Sequence, residues 1–596
     1  MMLRTLDANL LGSVWAMILL LRAVELEDCI SPEILVWDLF LLRKCTVRPR
    51  DLRELIVSPG MGMSFNDSLA LVGHKRRSKH TARIWNLQES PNAGRLRTMK
   101  QLIHSGILFP KYEPRDFKIT AQGKPVALTP QQEEMAVAWV RKLGTEYVED
   151  PVFVKNFFGD FCKALGLSGK LEPKDFDFSE IVKYVEGDRA KKLSMGKEEK
   201  KRIAAERKAV RETNKAKYGQ AIVDGETVDL GNYMAEPSSI FMGRGKHPLR
   251  GKWKQGPSEM DVILNLSPDA PRPPGKWKEV VWQPDSMWVA KWDDKLRGEE
   301  KYVWLADSSS VKQEREIEKY DKAKALDRKI DQLRTHIAAN LAATDLKRRK
   351  IATVCYLIDA LKLRVGDEKD KDEADTVGAT TLRSDHVKIR EGGRVIFDFL
   401  GKDSVRWCKE VELPAQVIDN IKEFMTNANS SIFEGVRSDS VKEFLSEVVP
   451  DLSSKVFRTY HASKVVGEYF NKAKVGREDP DYVKKNVATL ANLEAAVVCN
   501  HKRKLPKNWD NSLAKKMERL KVLQARKTKK SGEAVKAFKL KIKTMKATRD
   551  YNLGTSLRSY IDPRLYYRWG KGVDFDWKLY YSKTLQRKFS WVEKNH

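Results

Sequence analysis

The chain has 596 residues, and its 111 lysines and arginines exceed its 82 aspartates and glutamates by 29. That length is too great for one ordinary core and predicts about three or four structural units. So large a positive surplus predicts a polyanionic partner, nucleic acid before a membrane surface. With 41% hydrophobic and 32% charged residues, the composition argues against both a disordered chain and an integral membrane protein. The six cysteines are scattered without Cys-x-x-Cys spacing, which argues against a disulfide scaffold or a cysteine-built zinc site and suits a reducing, intracellular compartment.

Residues 10–21 are almost wholly apolar, but a run of about twelve is short of the roughly 20 that a spanning helix needs. Arg4 precedes the run as in a signal peptide, yet Arg22 and Glu25 follow it without a small-residue cleavage site, and Asp7, Glu25, Glu27 and Asp28 disfavour a mitochondrial leader. The first hundred residues read as a buried or partner-facing helix, or as an extension outside the working protein.

From about residue 102 the texture is mixed. Helical periodicity covers 131–143, a charged helix covers 197–217, and short aromatic-rich runs at 261–266, 277–282, 287–292 and 301–305 read as strands between Pro, Gly and Asp turns. A helical body begins near Lys312, where Leu326, Ile330, Leu333, Ile337 and Leu341 form one apolar stripe. Ile351, Val354, Cys355 and Ile358 repeat the pattern on a helix expected to terminate at Gly366. Strands are expected at 386–390, 394–400 and 404–413, with Lys402 at the tip of the second turn, where a flexible ammonium can reach a ligand. Helices then run to Cys499. Residues 507–549 hold about 15 basic and 3 acidic side chains. Leu513, Met517, Leu520 and Leu523 mark one stripe, Val535, Phe538, Ile542 and Met545 another, with a turn expected at Ser531-Gly532. This reads as an antiparallel helical hairpin whose basic faces meet a phosphate backbone, the plainer alternative being a solvated spacer.

Common catalytic motifs fail. Gly243-Arg244-Gly245 lacks the third glycine of a dinucleotide fingerprint, no histidine pair has metalloprotease spacing, and the acidic residues from Asp367 to Asp375 alternate with lysines as in a solvated loop. What remains is an ordered set of cations ending in a tyrosine: Arg364-Val365-Gly366-Asp367-Glu368-Lys369, Phe399-Leu400-Gly401-Lys402-Asp403-Ser404, Lys455-Val456-Phe457-Arg458-Thr459-Tyr460, Cys499-Asn500-His501-Lys502-Arg503, and Gly554 to Arg564 around Ser559-Tyr560. With Phe241-Met242-Gly243-Arg244-Gly245-Lys246-His247-Pro248 and Ala374-Asp375-Thr376-Val377-Gly378, residues 102–596 closely resemble the eukaryote-type type IB DNA topoisomerases. Tyrosine recombinases share the arginine–histidine–tyrosine skeleton, but the Gly-Arg-Gly-x-His-Pro segment and the basic hairpin are not typical of them.

The resemblance implies an α+β multidomain protein. Residues 1–101 are an N-terminal extension of unknown role, 102–308 a mixed α/β cap and 309–505 a mainly helical catalytic core. The helical-hairpin linker is 506–550 and the C-terminal domain with the nucleophile 551–596. Together they would form a clamp on double-stranded DNA, expected to act as a monomer and away from membranes. The catalytic groups fall on Arg364, Lys402, Arg458, His501 and Tyr560. The DNA-contact set falls on Arg244, at a base edge or sugar, on Lys246 and His247, at phosphates, and on Lys369, Thr376, Asp403 and Ser559. Tyr560 would attack a phosphodiester as a phenolate favoured by two guanidiniums, and Lys402 would protonate the leaving 5′ oxygen. Arg364, Arg458 and His501 would donate to the non-bridging oxygens. No ATP, metal or cofactor is expected. The missing long charged N-terminal tail and the short linker look like archaeal members or a lower eukaryote, which would place the protein in an archaeal cytoplasm or nucleoid, or in a nucleus. A tyrosine recombinase and a catalytically silent architectural DNA-binding protein are the alternatives. Ser559 stands where camptothecin-sensitive members carry asparagine, so weak sensitivity is expected; strong trapping of cleaved DNA at ordinary drug doses would contradict it.

Overall fold

The computed structural model describes residues 98–594 apart from 170, 244–246, 368–375, 428–429, 507 and 527–528. The apolar run 10–21 and three expected DNA contacts, Arg244, Lys246 and Lys369, lie outside the described residues, as does the side chain of Asp403. The fold is mixed α/β, built from helices and several small sheets.

In the first unit, Thr129 and Gln132 form a capping box that starts the helix Pro130–Val140, with Pro130 in the first turn. Asp150 caps the next helix, Pro151–Leu165. Phe153, Phe157, Phe158 and Phe161 recur on that helix at spacings that share a face, and they bury against Trp139. The charged helix spans Lys197–Tyr218, and none of its residues is buried. The four aromatic-rich runs form one sheet in the order Glu279–Val281, Val262–Asn265, Trp288–Asp293, Glu300–Trp304, with the first pair parallel and the others antiparallel.

Helix α1, Ser310–Asn340, then serves three cores in turn. Val311 packs with the Trp-rich sheet, Tyr320 with the C-terminal helices, and Ala323, Leu326, Ile330, Leu333 and Ile337 with the central helical body. Helix α2, Leu346–Leu361, is capped by Asp345 and ends at Lys362 in the left-handed conformation, not at Gly366. Gly366 has a different task. Its φ of +122° and its lack of a side chain let it lie against Gly378, where an added Cβ would stand 2.5 Å from the Gly366 Cα and 2.7 Å from the Arg364 carbonyl oxygen. The backbone of 364–366 thereby pairs with 379–380 (Ala379 N–H to Arg364 O, 2.8 Å; Thr380 N–H to Val365 O, 2.7 Å), and Val377 N–H donates to Leu400 O at 2.7 Å.

Leu400 belongs to an antiparallel meander of β1 Val387–Ile389, β2 Arg394–Gly401 and β3 Val405–Glu412, and Lys402 sits in the single turn between the last two, as the sequence predicts. Helices α3, Lys455–Lys472, and α4, Asp481–Val498, follow. The basic hairpin is formed by α5, Trp509–Ala525, and α6, Lys529–Ala547. Ser531 and Gly532 fall inside the first turn of α6, so the expected turn lies too late in the chain. Only a thin seam holds the pair: Ile542 is buried while Met517 is 45% exposed. Helix α6 also leans on α4, through Thr544 bonded to Asn486 and Tyr482 donating to Glu533 at 3.0 Å.

The chain returns into α7, Leu553–Ser559, and α8, Pro563–Val573. Leu557, Ile561, Leu565, Tyr566 and Trp577 share their core with Ala462 and Val466 of α3 and Ala488, Ala491 and Ala495 of α4, so the C-terminal segment completes a core begun upstream. Among the described residues no helix is long and apolar enough to cross a membrane. Gly378→Ala is expected to destabilise the fold by about 1–3 kcal/mol through overpacking against Gly366; an unchanged thermal unfolding midpoint would contradict that close approach.

Candidate active site

Arg364, Lys402, Arg458, His501 and Tyr560 come from five chain segments and converge on two adjoining clefts of ≈ 340 and ≈ 360 Å³ that share Arg364, Lys402 and Arg458. His501 lines one cleft and Tyr560 the other. Arg458 and His501 are buried, Tyr560 is half-buried, and Arg364 and Lys402 are exposed at the rim.

Arg458 lies in the first turn of α3. Its Nη1 donates to the Lys362 carbonyl and its Nη2 to the Cys499 carbonyl, each at 2.8 Å, so the ends of α2 and α4 clasp one guanidinium. Both carbonyls lie at helix C-termini, where oxygens lack intrahelical partners and carry partial negative charge. The sequence leads one to expect Arg458 to aim two hydrogen bonds at a phosphate; in the structure two of its donors hold the protein, and its buried Nε has no protein partner.

Arg458 Nη2 also lies 3.1 Å from His501 Nε2. A guanidinium can only donate, so Nε2 accepts and the imidazole proton resides on Nδ1. That Nδ1 is buried and has no protein partner. Desolvation, reinforced by Arg458 and Arg364, lowers the His501 pKa to about 3. His501 is therefore a neutral donor at physiological pH, not a third cation. Two buried donors without partners in one site are rare in a folded interior and mark a place where a ligand's acceptors belong.

The Tyr560 ring stands 5.0 Å from the Arg458 Cζ, 6.0 Å from the Arg364 Cζ, and 5.1 Å from the His501 ring centre. Its backbone is fixed at both ends. Tyr560 N–H donates to Ser556 O at 3.0 Å, and Ser463 Oγ donates to Tyr560 O at 3.3 Å. Upstream, Asn492 is wholly buried; its Nδ2 donates to Leu553 O at 3.1 Å and its Oδ1 accepts from Ser556 Oγ at 2.6 Å. Asn552 N–H donates to the His501 carbonyl at 2.7 Å, and Lys502 bridges Tyr551, so the two feet of the basic hairpin are pinned beside the imidazole.

Thr376 is buried and lines the Tyr560 cleft, and Ser559 is the half-buried last residue of α7. His247 differs from expectation. Its ring is buried edge-on to Phe241, and Nδ1 accepts from Leu249 N–H at 3.1 Å, so it shapes its own loop and is not exposed. The sequence reading missed Asp359 and His461. Asp359 accepts from Arg334 at 2.7 Å and pairs with His461 Nε2 at 2.7 Å, locking α2 to α3 one helical turn beyond Arg458. Those two partners hold the Asp359 carboxyl down at about 2 despite burial. The available signal was a histidine three residues after the arginine, on the same helix face.

Family models match nearly all of the described chain: the DNA binding fragment of eukaryotic DNA topoisomerase I over 98–305, its catalytic core over 308–534, and the C-terminal topoisomerase domain over 532–596. DNA topoisomerase 1 alpha of Arabidopsis thaliana is 35% identical over 87% of this chain and 61% of its own length. The DNA topoisomerases 1 of Daucus carota and Homo sapiens are 33% and 32% identical, over 83% of this chain and 72% and 70% of theirs. The chain thus spans roughly three fifths of the Arabidopsis relatives' length. These relatives are eukaryotic, and the archaeal placement finds no support among them.

The His501 pKa has a measurable consequence. The free side chain protonates near 6.5 and the folded one near 3, so between those values the unfolded state binds more protons. Stability is full above pH 6.5 and falls below it by up to about 1.4 kcal/mol per unit. His501→Gln is expected to flatten that decline in denaturant titrations from pH 6.5 to 4; an identical slope would show the imidazole to be ordinary.

Sequence, site and family models agree: the chain belongs to the eukaryotic DNA topoisomerase I family.

Proposed function

We infer that the protein relaxes positively and negatively supercoiled duplex DNA as a type IB topoisomerase, cutting one strand through a transient 3′-phosphotyrosyl bond. The observation that carries this reading is the Tyr560 ring beneath two guanidiniums and beside a neutral imidazole with an unpartnered N–H. The Tyr560 oxygen attacks phosphorus while the bond to the 5′ oxygen breaks. The phenol proton passes to water, and Lys402, on its turn at the rim, protonates the departing 5′ oxygen. Arg364 and Arg458 meet the charge growing on the non-bridging oxygens, and His501 adds a hydrogen bond without adding charge. The phosphotyrosyl link retains the energy of the phosphodiester, so resealing is the reverse step and needs no ATP. Fixed cations do the electrostatic work that magnesium does in many phosphoryl-transfer enzymes.

The cap, 102–308, and the catalytic body, 309–505 with 551–596, close on the duplex as a clamp, and one chain suffices. Arg244 meets a base edge or sugar from the cap, and Lys246 and His247 meet phosphates. Lys369, Thr376, Asp403 and Ser559 contact it around the cut. Binding rests mainly on phosphate contacts, so affinity falls steeply with salt and depends weakly on sequence. The enzyme works on DNA in a eukaryotic nucleus. The hairpin 506–550 stands beside the rotating segment and slows it electrostatically.

Plasmid relaxation with chelator and without ATP tests this. The full chain is expected to relax supercoils of both signs, and Tyr560→Phe to relax none. A wild-type chain that relaxes nothing, or performs only sequence-specific strand exchange, would overturn the reading, and an active Phe variant would overturn the nucleophile. Trimming α5 and α6 with both flanks kept is expected to preserve cleavage and lower processivity as salt rises; unchanged processivity across a salt series would remove the hairpin's role.

A further inference from the structure

The short helix α7 ends at the tyrosine, and its last carbonyls have left the helical hydrogen-bonding pattern: Asp562 N–H turns away to Ser463 Oγ at 3.0 Å. The carbonyls of residues 558, 559 and 560 are each met by a different element. Lys588 Nζ donates to Arg558 O at 3.2 Å, Lys319 Nζ to Ser559 O at 3.2 Å, and Ser463 Oγ to Tyr560 O at 3.3 Å. Lys588 is a buried lysine from the far C-terminal helix Lys583–Lys588. Its ammonium is balanced by Glu316 of α1 at 3.3 Å and by Asp307, just before α1, at 4.0 Å. Glu316 also holds Lys319 at 2.8 Å, and Asp307 holds Arg558 at 2.8 Å. Burying an ammonium costs stability unless it is both paired and hydrogen-bonded, and here the carbonyl completes its shell.

The geometry points to Lys588 as a positioning residue for Tyr560: it clamps the C-terminal end of α7 so that the phenol is presented along one direction. This rests on Tyr560 being the nucleophile. A backbone rotation of about 10° displaces the phenol oxygen, roughly 6.5 Å from its Cα, by about 1 Å, an error that can cost on the order of 100-fold in rate. The same clamp ties the nucleophile to α1, whose first residues pack on the cap sheet, so the tyrosine is aligned by the element that joins cap to catalytic body.

The experiment uses the full chain and a suicide duplex whose short downstream strand departs after cleavage, with adduct formation timed at increasing enzyme concentration. Lys588→Met keeps the stem and removes the donor. It is expected to slow adduct formation at saturation by about 10- to 100-fold and to leave the half-saturating concentration within about twofold, because no DNA contact is lost. Lys588→Met combined with Glu316→Gln removes the nearer carboxylate that loses one of its two ammonium partners in the single variant. It is expected to recover thermal stability but not rate, and it carries the test if the single variant does not fold. Wild-type cleavage by either variant would show that Lys588 merely neutralises Glu316, and would overturn the proposal while leaving the nucleophile intact. Adduct formation by Tyr560→Phe, or none by the wild-type chain, would instead defeat the nucleophile assignment itself.

Discussion

The site depends on one guanidinium that the backbone grips before any ligand arrives. Arg458 lies between the last carbonyls of α2 and α4, and its charge is tolerable in a buried place because two helix C-termini aim oxygens at it. Its neighbours take their properties from that fixed charge. It forces the His501 proton onto Nδ1, adds to the desolvation that keeps the imidazole neutral, and lies over the Tyr560 ring. A site arranged in this way need not reorganise as charge develops on a phosphate, which is where electrostatic catalysis gains most.

That grip requires α2, α3 and α4 to hold register, and buried or half-buried polar links do so. Asp359, Arg334 and His461 join α1, α2 and α3, and Asn492 ties α4 to α7. Helix α1, about 46 Å long at 31 residues, runs through three cores and couples the Trp-rich sheet to the segment bearing Tyr560. The C-terminal segment gains its stability from α3 and α4, so Tyr560 and Arg458 are parts of one packed body. The hairpin leaves directly after His501 and returns directly before α7, with its feet joined by the Lys502–Tyr551 bridge.

Much of this was legible in the sequence. Periodicity placed the charged helix at 197–217 within a residue of its observed span, because an isolated amphipathic or solvated helix depends on local spacing alone. Alternation placed the strand meander and put Lys402 at its tip. The ordered motifs named the five converging residues. Two errors were also local in kind. Gly366 was given a helix terminus that Lys362 provides, and Ser531-Gly532 a turn that comes earlier in the chain. His247 was expected at a phosphate and is buried in its own loop.

The chain by itself therefore determined which cationic and aromatic side chains are candidates for one site and which elements carry them, since both follow from residue type and near-neighbour spacing. Only the tertiary structure decided the protonation of His501, the backbone grip on Arg458, the contact of Gly366 with Gly378, and the hold of Lys588 and Lys319 on the tyrosine's helix. Each of these joins groups from a dozen to 240 residues apart, or depends on burial. Burial and long-range contact are properties of the packed chain that no local pattern encodes.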